Sequence, residues 1–149
     1  MKTYFIALFC AIGFYWNSVA AADVTVSDAW VRATAPGQTV GGAYFKIQSA
    51  QTAYLVGASS TAAKVVEVHQ MSLENNVMKM RPLPRLELPA GSAVELKPGG
   101  YHLMMMGITR PLVKGDKVDL KLIVEDKTGR RQTVDVKAEV GDIGATKMR

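Results

Sequence analysis

Downstream of residue 22 the apolar residues fall in short runs that alternate with polar ones, and turn-forming residues interrupt them about every ten positions. Val24, Val26, Trp30 and Val31 alternate with polar neighbours up to the turn Ala35-Pro36-Gly37-Gln38. Phe45, Ile47 and Ser49 alternate with Tyr44, Lys46 and Gln48 in a run entered through Gly41-Gly42. Val65 to Val68 leads into His69, Leu86-Glu87-Leu88 stops at Pro89-Ala90-Gly91, and Val94-Glu95-Leu96 stops at Pro98-Gly99-Gly100. Val118 to Val124 and Thr133 to Val140 face each other across Lys127-Thr128-Gly129-Arg130, a hairpin signal. After Trp16 no stretch sustains the 3.6-residue period of a helix, and Ala62 to Val66 is the one place where a single helical turn fits. The pattern predicts an all-β fold, an antiparallel sandwich of about seven to nine strands.

The start of the chain departs from this rhythm. Met1-Lys2-Thr3 is a short basic end, Tyr4 to Trp16 is an apolar run too short to span a bilayer, and the small residues Ser18, Ala20 and Ala22 follow. Residues 1–22 are therefore expected to be a secretory signal peptide, and residues 23–149 one domain with a short flexible tail from about 142. The single cysteine, Cys10, falls within the signal, with bulky Phe9 before it where a lipid-attachment site wants a small residue. The exported domain is then free of thiols and disulfides. These features predict a periplasmic monomer with no stable membrane insertion after cleavage.

Composition adds little to the fold and removes one function. With 48% hydrophobic and 21% charged residues the chain has the profile of a single globular domain. Loss of 22 of the 149 residues leaves 127, enough to bury about two-thirds of the surface of the unfolded chain without staples. The formal charge of +5 might suggest nucleic acid. In the second half, however, the basic residues alternate with Asp116, Asp119, Glu125, Asp126, Asp135 and Glu139, so no basic stripe forms and nucleic acid is not an expected partner.

The chemistry is concentrated in one stretch. Eight of the nine methionines and histidines beyond the signal lie between His69 and Met106, where even spreading would place about three. On a strand, residues two apart share a face, so His102 and Met104 present imidazole and thioether together while Leu103 and Met105 point to the opposite layer. Thioethers are soft donors that suit copper(I) and have little affinity for zinc, calcium or magnesium. Two imidazoles and two thioethers make a neutral set that survives an oxidising compartment, apart from oxidation to sulfoxide. Methionine is also a common gap-filler, and residue types alone admit either a copper site or a methionine-rich core. Met71 and Met78, near Asn75-Asn76, are expected in a loop, as auxiliary ligands or as surface or core residues.

The spacing His69-x10-Met80-x21-His102-x-Met104 resembles the copper(I) motif of the periplasmic PCu(A)C copper chaperones. The surroundings are similar too: Asp28-Ala29-Trp30-Val31-Arg32, Ala35-Pro36-Gly37, Gly42-Ala43-Tyr44, Val77-Met78-Lys79-Met80-Arg81, and Leu96 through Met104. The resemblance runs from Val24 to Val140. It implies a cupredoxin-like Greek-key β-sandwich that binds one Cu(I) through His69, Met80, His102 and Met104 and helps assemble the dinuclear copper centre of cytochrome c oxidase. The implied partner is a copper-accepting oxidase subunit or another periplasmic copper-transfer protein. Some members of that family carry a His- and Met-rich tail for a second copper; here the tail offers only Met148. A blue-copper electron carrier would need a thiolate, and a hydrolase a nucleophile with its base, so no enzymatic activity is expected. Two rival readings remain: a copper buffer for tolerance with no dedicated recipient, and an adhesion module with a methionine-rich core that binds no metal.

Overall fold

The computed structural model describes residues 23–142 and 144; the expected signal segment with Cys10, and Met148 of the tail, lie outside them. The described residues form ten strands and no helix: β1 (Val24–Arg32), β2 (Val40–Ser49), β3 (Ala53–Ser60), β4 (Ala63–Glu74), β5 (Val77–Pro82), β6 (Leu86–Leu88), β7 (Ala93–Leu96), β8 (Tyr101–Ile108), β9 (Lys117–Asp126) and β10 (Arg131–Gly141). The all-β expectation holds. The single helical turn expected at Ala62 to Val66 is instead the start of β4, where Val66 and Val68 go to the core and Lys64 and Val65 are exposed.

The strands make one continuous sheet in the order β5-β4-β8-β2-β1-β10-β9-β3-β6, with β7 added on β2. A further pairing of β3 with β4, at Ala58 and Val66, closes seven of them into a barrel-like ring. Closure brings the first strand beside the last, and β1 runs parallel to β10 with Trp30 opposite Glu139. The sheet is thus not wholly antiparallel, as alternation alone had suggested: a period of two fixes which face a residue occupies, not the direction of its strand's partner. The hairpin expected at 127–130 is present, with Val118 opposite Ala138 and Val124 opposite Gln132.

Alternation fills the ring. Ala43, Phe45 and Ile47 of β2, Val66 and Val68 of β4, Leu103 and Met105 of β8, and Leu120, Leu122 and Val124 of β9 are all buried in one cluster. The intervening residues of β2, β4 and β8 face outward, and that outer face carries the chemistry.

Two backbone features arrange it. In β1 the register slips by one residue between Ser27 and Trp30, where Asp28 has φ +54°. This bulge reverses the alternation: Val26 lies opposite the core residue Ile47, but Trp30 lies opposite Tyr44, leaving Val31 to point inward. Between β4 and β5, Asn75 (φ +51°) and Asn76 (φ +62°) link the pair Glu74 and Val77 as a two-residue turn with both central residues left-handed, the type I′ geometry that suits twisted hairpins and that Asn tolerates. Met71 and Met78 therefore sit on strands, not in the loop expected for them.

A core of this size closes without metal, so the apoprotein should unfold cooperatively in urea. Leu103, fully buried on the core side of β8 next to His102, is its test: Leu103→Ala should lower stability by about 2–5 kcal/mol with little change in m-value. A non-cooperative apoprotein transition would contradict this.

Candidate metal centre

The ladder between β4 and β8 places His69 directly opposite His102 and Glu67 opposite Met104. The ladder between β4 and β5 places Met71 opposite Met80 and His69 opposite Pro82. Paired residues share a face, so His69, Met80, His102 and Met104 all lie on the outer side of three adjacent strands. The imidazole centroids are 5.9 Å apart with the rings tilted by 48°. Met104 and Met80 are diagonal neighbours of His69, in opposite directions along β4. Met105, one residue from Met104, is fully buried on the core side.

Although they face away from the core, His69 and His102 are only 9% and 4% exposed, whereas Met80 is 44% exposed. The cover over the imidazoles therefore comes from side chains on their own face. Tyr44, a buried residue of β2, lies on that outer face. A Cβ added to Gly42 would lie 2.5 Å from the Tyr44 Oη, so only glycine lets this ring lie back along its strand. Gly42 is paired with Met104, which sets the phenol beside that thioether. Trp30 stacks on Tyr44 at 4.5 Å between centroids, and the Arg32 guanidinium lies 5.5 Å from the Tyr44 centroid. Burial raises the Tyr44 pKa above its ordinary value, opposed by the Arg32 charge.

The hydrogen bonds of the histidines assign their lone pairs. His102 Nδ1 lies 3.1 Å from the Gly100 carbonyl, which can only accept, so Nδ1 carries the proton and Nε2 is free to ligate. In His69 the roles are exchanged: Nε2 lies 3.0 Å from Glu67 Oε2, so Nε2–H donates to the carboxylate. Its Nδ1 is then the lone-pair nitrogen, buried and without a hydrogen-bond partner. A buried acceptor left unpaired is costly in an ordinary core and is satisfied by a metal ion.

Glu67 and Tyr44 were not singled out by the sequence as parts of a site, whereas Met71 and Met78 were expected there as auxiliary ligands or as surface or core residues. Glu67 stands two residues before His69, a spacing that puts both on one face of a strand, so it was available as a local signal. Tyr44 was visible only as part of the Gly42-Ala43-Tyr44 similarity. Among the described residues no group of three or more His, Cys, Asp or Glu side chains is placed to hold a metal. The donor set at this face is nitrogen and thioether, which favours a soft, low-charge ion over zinc or calcium.

Comparisons with known proteins bear on the family and the fold. Residues 24–140 match the family described as "Putative lipoprotein LpqE-like". A relative from Leifsonia xyli subsp. xyli, named "Putative lipoprotein Lxx21020", is 36% identical over 115 residues, 76% of this chain and 69% of that protein. The solution structure of CuI-DR1885 from Deinococcus radiodurans superposes with a TM-score of 0.57 at 31% identity, covering 83% of this chain and 82% of that one. The copper-bound PCuAC domain from PmoF2 superposes with a TM-score of 0.61, covering 82% of this chain and 97% of that domain; at 21% identity it speaks for the fold alone.

Burial holds the His102 pKa below its ordinary value of 6.5, against a smaller upward pull from the Gly100 carbonyl and with a still smaller lowering from nearby His69. Because the unfolded chain then binds the proton first, the contribution of His102 to stability is complete above the unfolded pKa and is lost as pH falls from there through the folded one. The urea midpoint of the apoprotein should accordingly drop between about pH 7.5 and 5, and His102→Gln should make that drop smaller. An unchanged drop in the variant would place the proton-linked instability elsewhere.

Proposed function

The chain belongs to the LpqE-like family, and we propose that it is a periplasmic copper(I) chaperone that holds one ion through His69, Met80, His102 and Met104 and delivers it for assembly of the dinuclear copper centre of cytochrome c oxidase. The observation that carries the reading is the opposed imidazole pair. His69 and His102 are fixed in complementary tautomers with a ligating nitrogen left on each, on the face that bears both thioethers. The likeness to CuI-DR1885, at 31% identity, and to the copper-bound PCuAC domain from PmoF2 supports copper as the cargo. With those domains goes the finer description of the fold as a cupredoxin-like Greek-key sandwich.

The donor set suits a carrier, not a catalyst. Neutral imidazole and thioether ligands bind copper(I) less strongly than thiolates, so transfer to a recipient with two thiolates runs downhill. The exposed Met80 is the ligand an incoming donor would displace first, leaving the buried histidines to let go last. The recipient is an oxidase subunit or another periplasmic copper-transfer protein, met in a transient complex by a monomer. The lipoprotein name of the family and of the Leifsonia relative supports export to the cell envelope. No helix of the described residues is long and apolar enough to cross a membrane.

Competition against a copper(I)-selective chelator should give one ion per protein. His102→Ala or Met104→Leu should weaken it by about a hundredfold or more, equivalent to roughly 3 kcal/mol, whereas the core substitution Met105→Leu should change little. Equal loss from Met105→Leu would place the ligands on the wrong face. Delivery is tested in a deletion strain across a copper series. Oxidase activity should fail at limiting copper, recover with added copper, and not be complemented by His102→Ala. Normal oxidase at every copper level, with sensitivity to excess copper, would identify a buffer.

A further inference from the structure

The β4–β5 hairpin holds more soft donors than the His-centred site uses. Met71 lies directly opposite Met80, and Met78, two residues along β5, lies opposite Leu73. All three methionines are on the outer face. Directly opposed Cβ atoms stand about 5 Å apart and diagonal ones about 7–8 Å, separations that long unbranched side chains span. Three thioethers therefore share one patch in the half of the hairpin nearer its turn.

Gap-filling does not account for them. A methionine that fills a core is enclosed by it, as Met105 is at 0% exposure, yet Met78 is 49% and Met80 44% exposed. Exposed thioethers on a solvent-facing strand also carry the risk of oxidation to sulfoxide, which threonine or lysine would avoid. The charged residues of the hairpin do not compete for the patch. Glu74 pairs with Lys79 at 3.0 Å and with Arg81 at 2.9 Å, and the alternation of β5 turns Lys79 and Arg81 to the side opposite Met78 and Met80. The patch thus presents sulfur without carboxylate oxygen, a donor set that excludes hard cations and suits a soft monovalent one.

We infer that Met71, Met78 and Met80 form a second, all-thioether site that captures copper(I) and passes it to His69, His102 and Met104. The passing-on rests on the function proposed above; the capture site does not. Met80 belongs to both sites, being opposite Met71 and diagonal to His69. Copper moves by ligand exchange alone: the thioethers of Met71 and Met78 leave, imidazole nitrogens arrive, the ion stays at +1, and no thioether gains or loses a proton. Because Met80 is shared, the two sites fill alternately and the equilibrium stoichiometry stays at one.

Silver(I), a redox-inert probe for copper(I), tests this in chloride-free buffer with the methionine methyls labelled for NMR. In the full chain carrying His69→Ala and His102→Ala, silver should shift the methyl signals of Met71, Met78 and Met80 and leave Met105 unmoved. Adding Met71→Leu and Met78→Leu, isosteric changes at exposed or partly exposed positions, should weaken that residual binding by about tenfold or more. With both histidines present, the same two leucines should slow copper(I) loading in stopped-flow by about tenfold while leaving the equilibrium affinity within about threefold. Residual silver binding that ignores the leucine substitutions, or methyl signals that do not move, would overturn the capture site. Hairpin shifts in a protein whose copper(I) affinity in the chelator competition is unchanged by His102→Ala would uphold the capture site and sink the His-centred chaperone reading instead.

Discussion

The ladder between β4 and β8 is the constraint on which the rest of the molecule depends. One set of its residues, Val66, Val68, Leu103 and Met105, is buried in the core, and this burial pins the register, because a slip of one residue would turn that set outward. The same register sets His69 opposite His102 and Glu67 opposite Met104. The apolar face thus does the energetic work of holding two imidazoles in opposition on the polar face. A site built on paired strands inherits the stiffness of the core beneath it and needs no metal to assemble.

For the proposed carrier, a site on the outside of a closed sheet reconciles two requirements that conflict. Imidazoles must be shielded to stay neutral and ordered, yet the ion must be reachable by an incoming donor. The histidines are nearly enclosed, whereas Met80 stands on a hairpin with no strand beyond it. Exposure therefore rises from the histidines to Met80 at the edge of the sheet, the thioether proposed to exchange first. Exchange of a soft ion is easiest at the rim and hardest at the centre.

The shield over the histidines depends on small departures from regular strand structure. The bulge at Asp28 turns Trp30 outward onto Tyr44, and the missing side chain of Gly42 lets the Tyr44 ring lie back beside Met104. The bulge also turns Val31 into the core, whereas the bare backbone at Gly42 serves only the outer face. Both raise an aromatic wall at the edge of the donor set, lowering the local dielectric, in keeping with the depressed pKa of His102. On the far side of the pair, Glu67 holds the His69 ring by its Nε2–H and leaves Nδ1 buried without a hydrogen-bond partner.

The amino-acid sequence by itself determined what is local: the strand habit, the hairpin at 127–130, and the sharing of one face by His102 and Met104 while Met105 turns to the core. A period of two is set by the pleat and needs no knowledge of partners. The two-residue turn at Asn75-Asn76 was equally local, and the asparagine pair was the signal for it; reading a loop there misplaced Met71 and Met78. Which strand lies beside which was decided only in three dimensions. The parallel pairing of β1 with β10, the closing contact of β3 with β4, and the meeting of His69 with His102 depend on non-local ladders fixed by burial of the whole core. Spacing along the chain could hint at the four proposed ligands through resemblance to other proteins. Their opposition across two strands, and the tautomers that leave each imidazole a free nitrogen, arise from tertiary contacts because hydrogen-bond partners such as Glu67 and the Gly100 carbonyl acquire their positions only when the sheet is assembled.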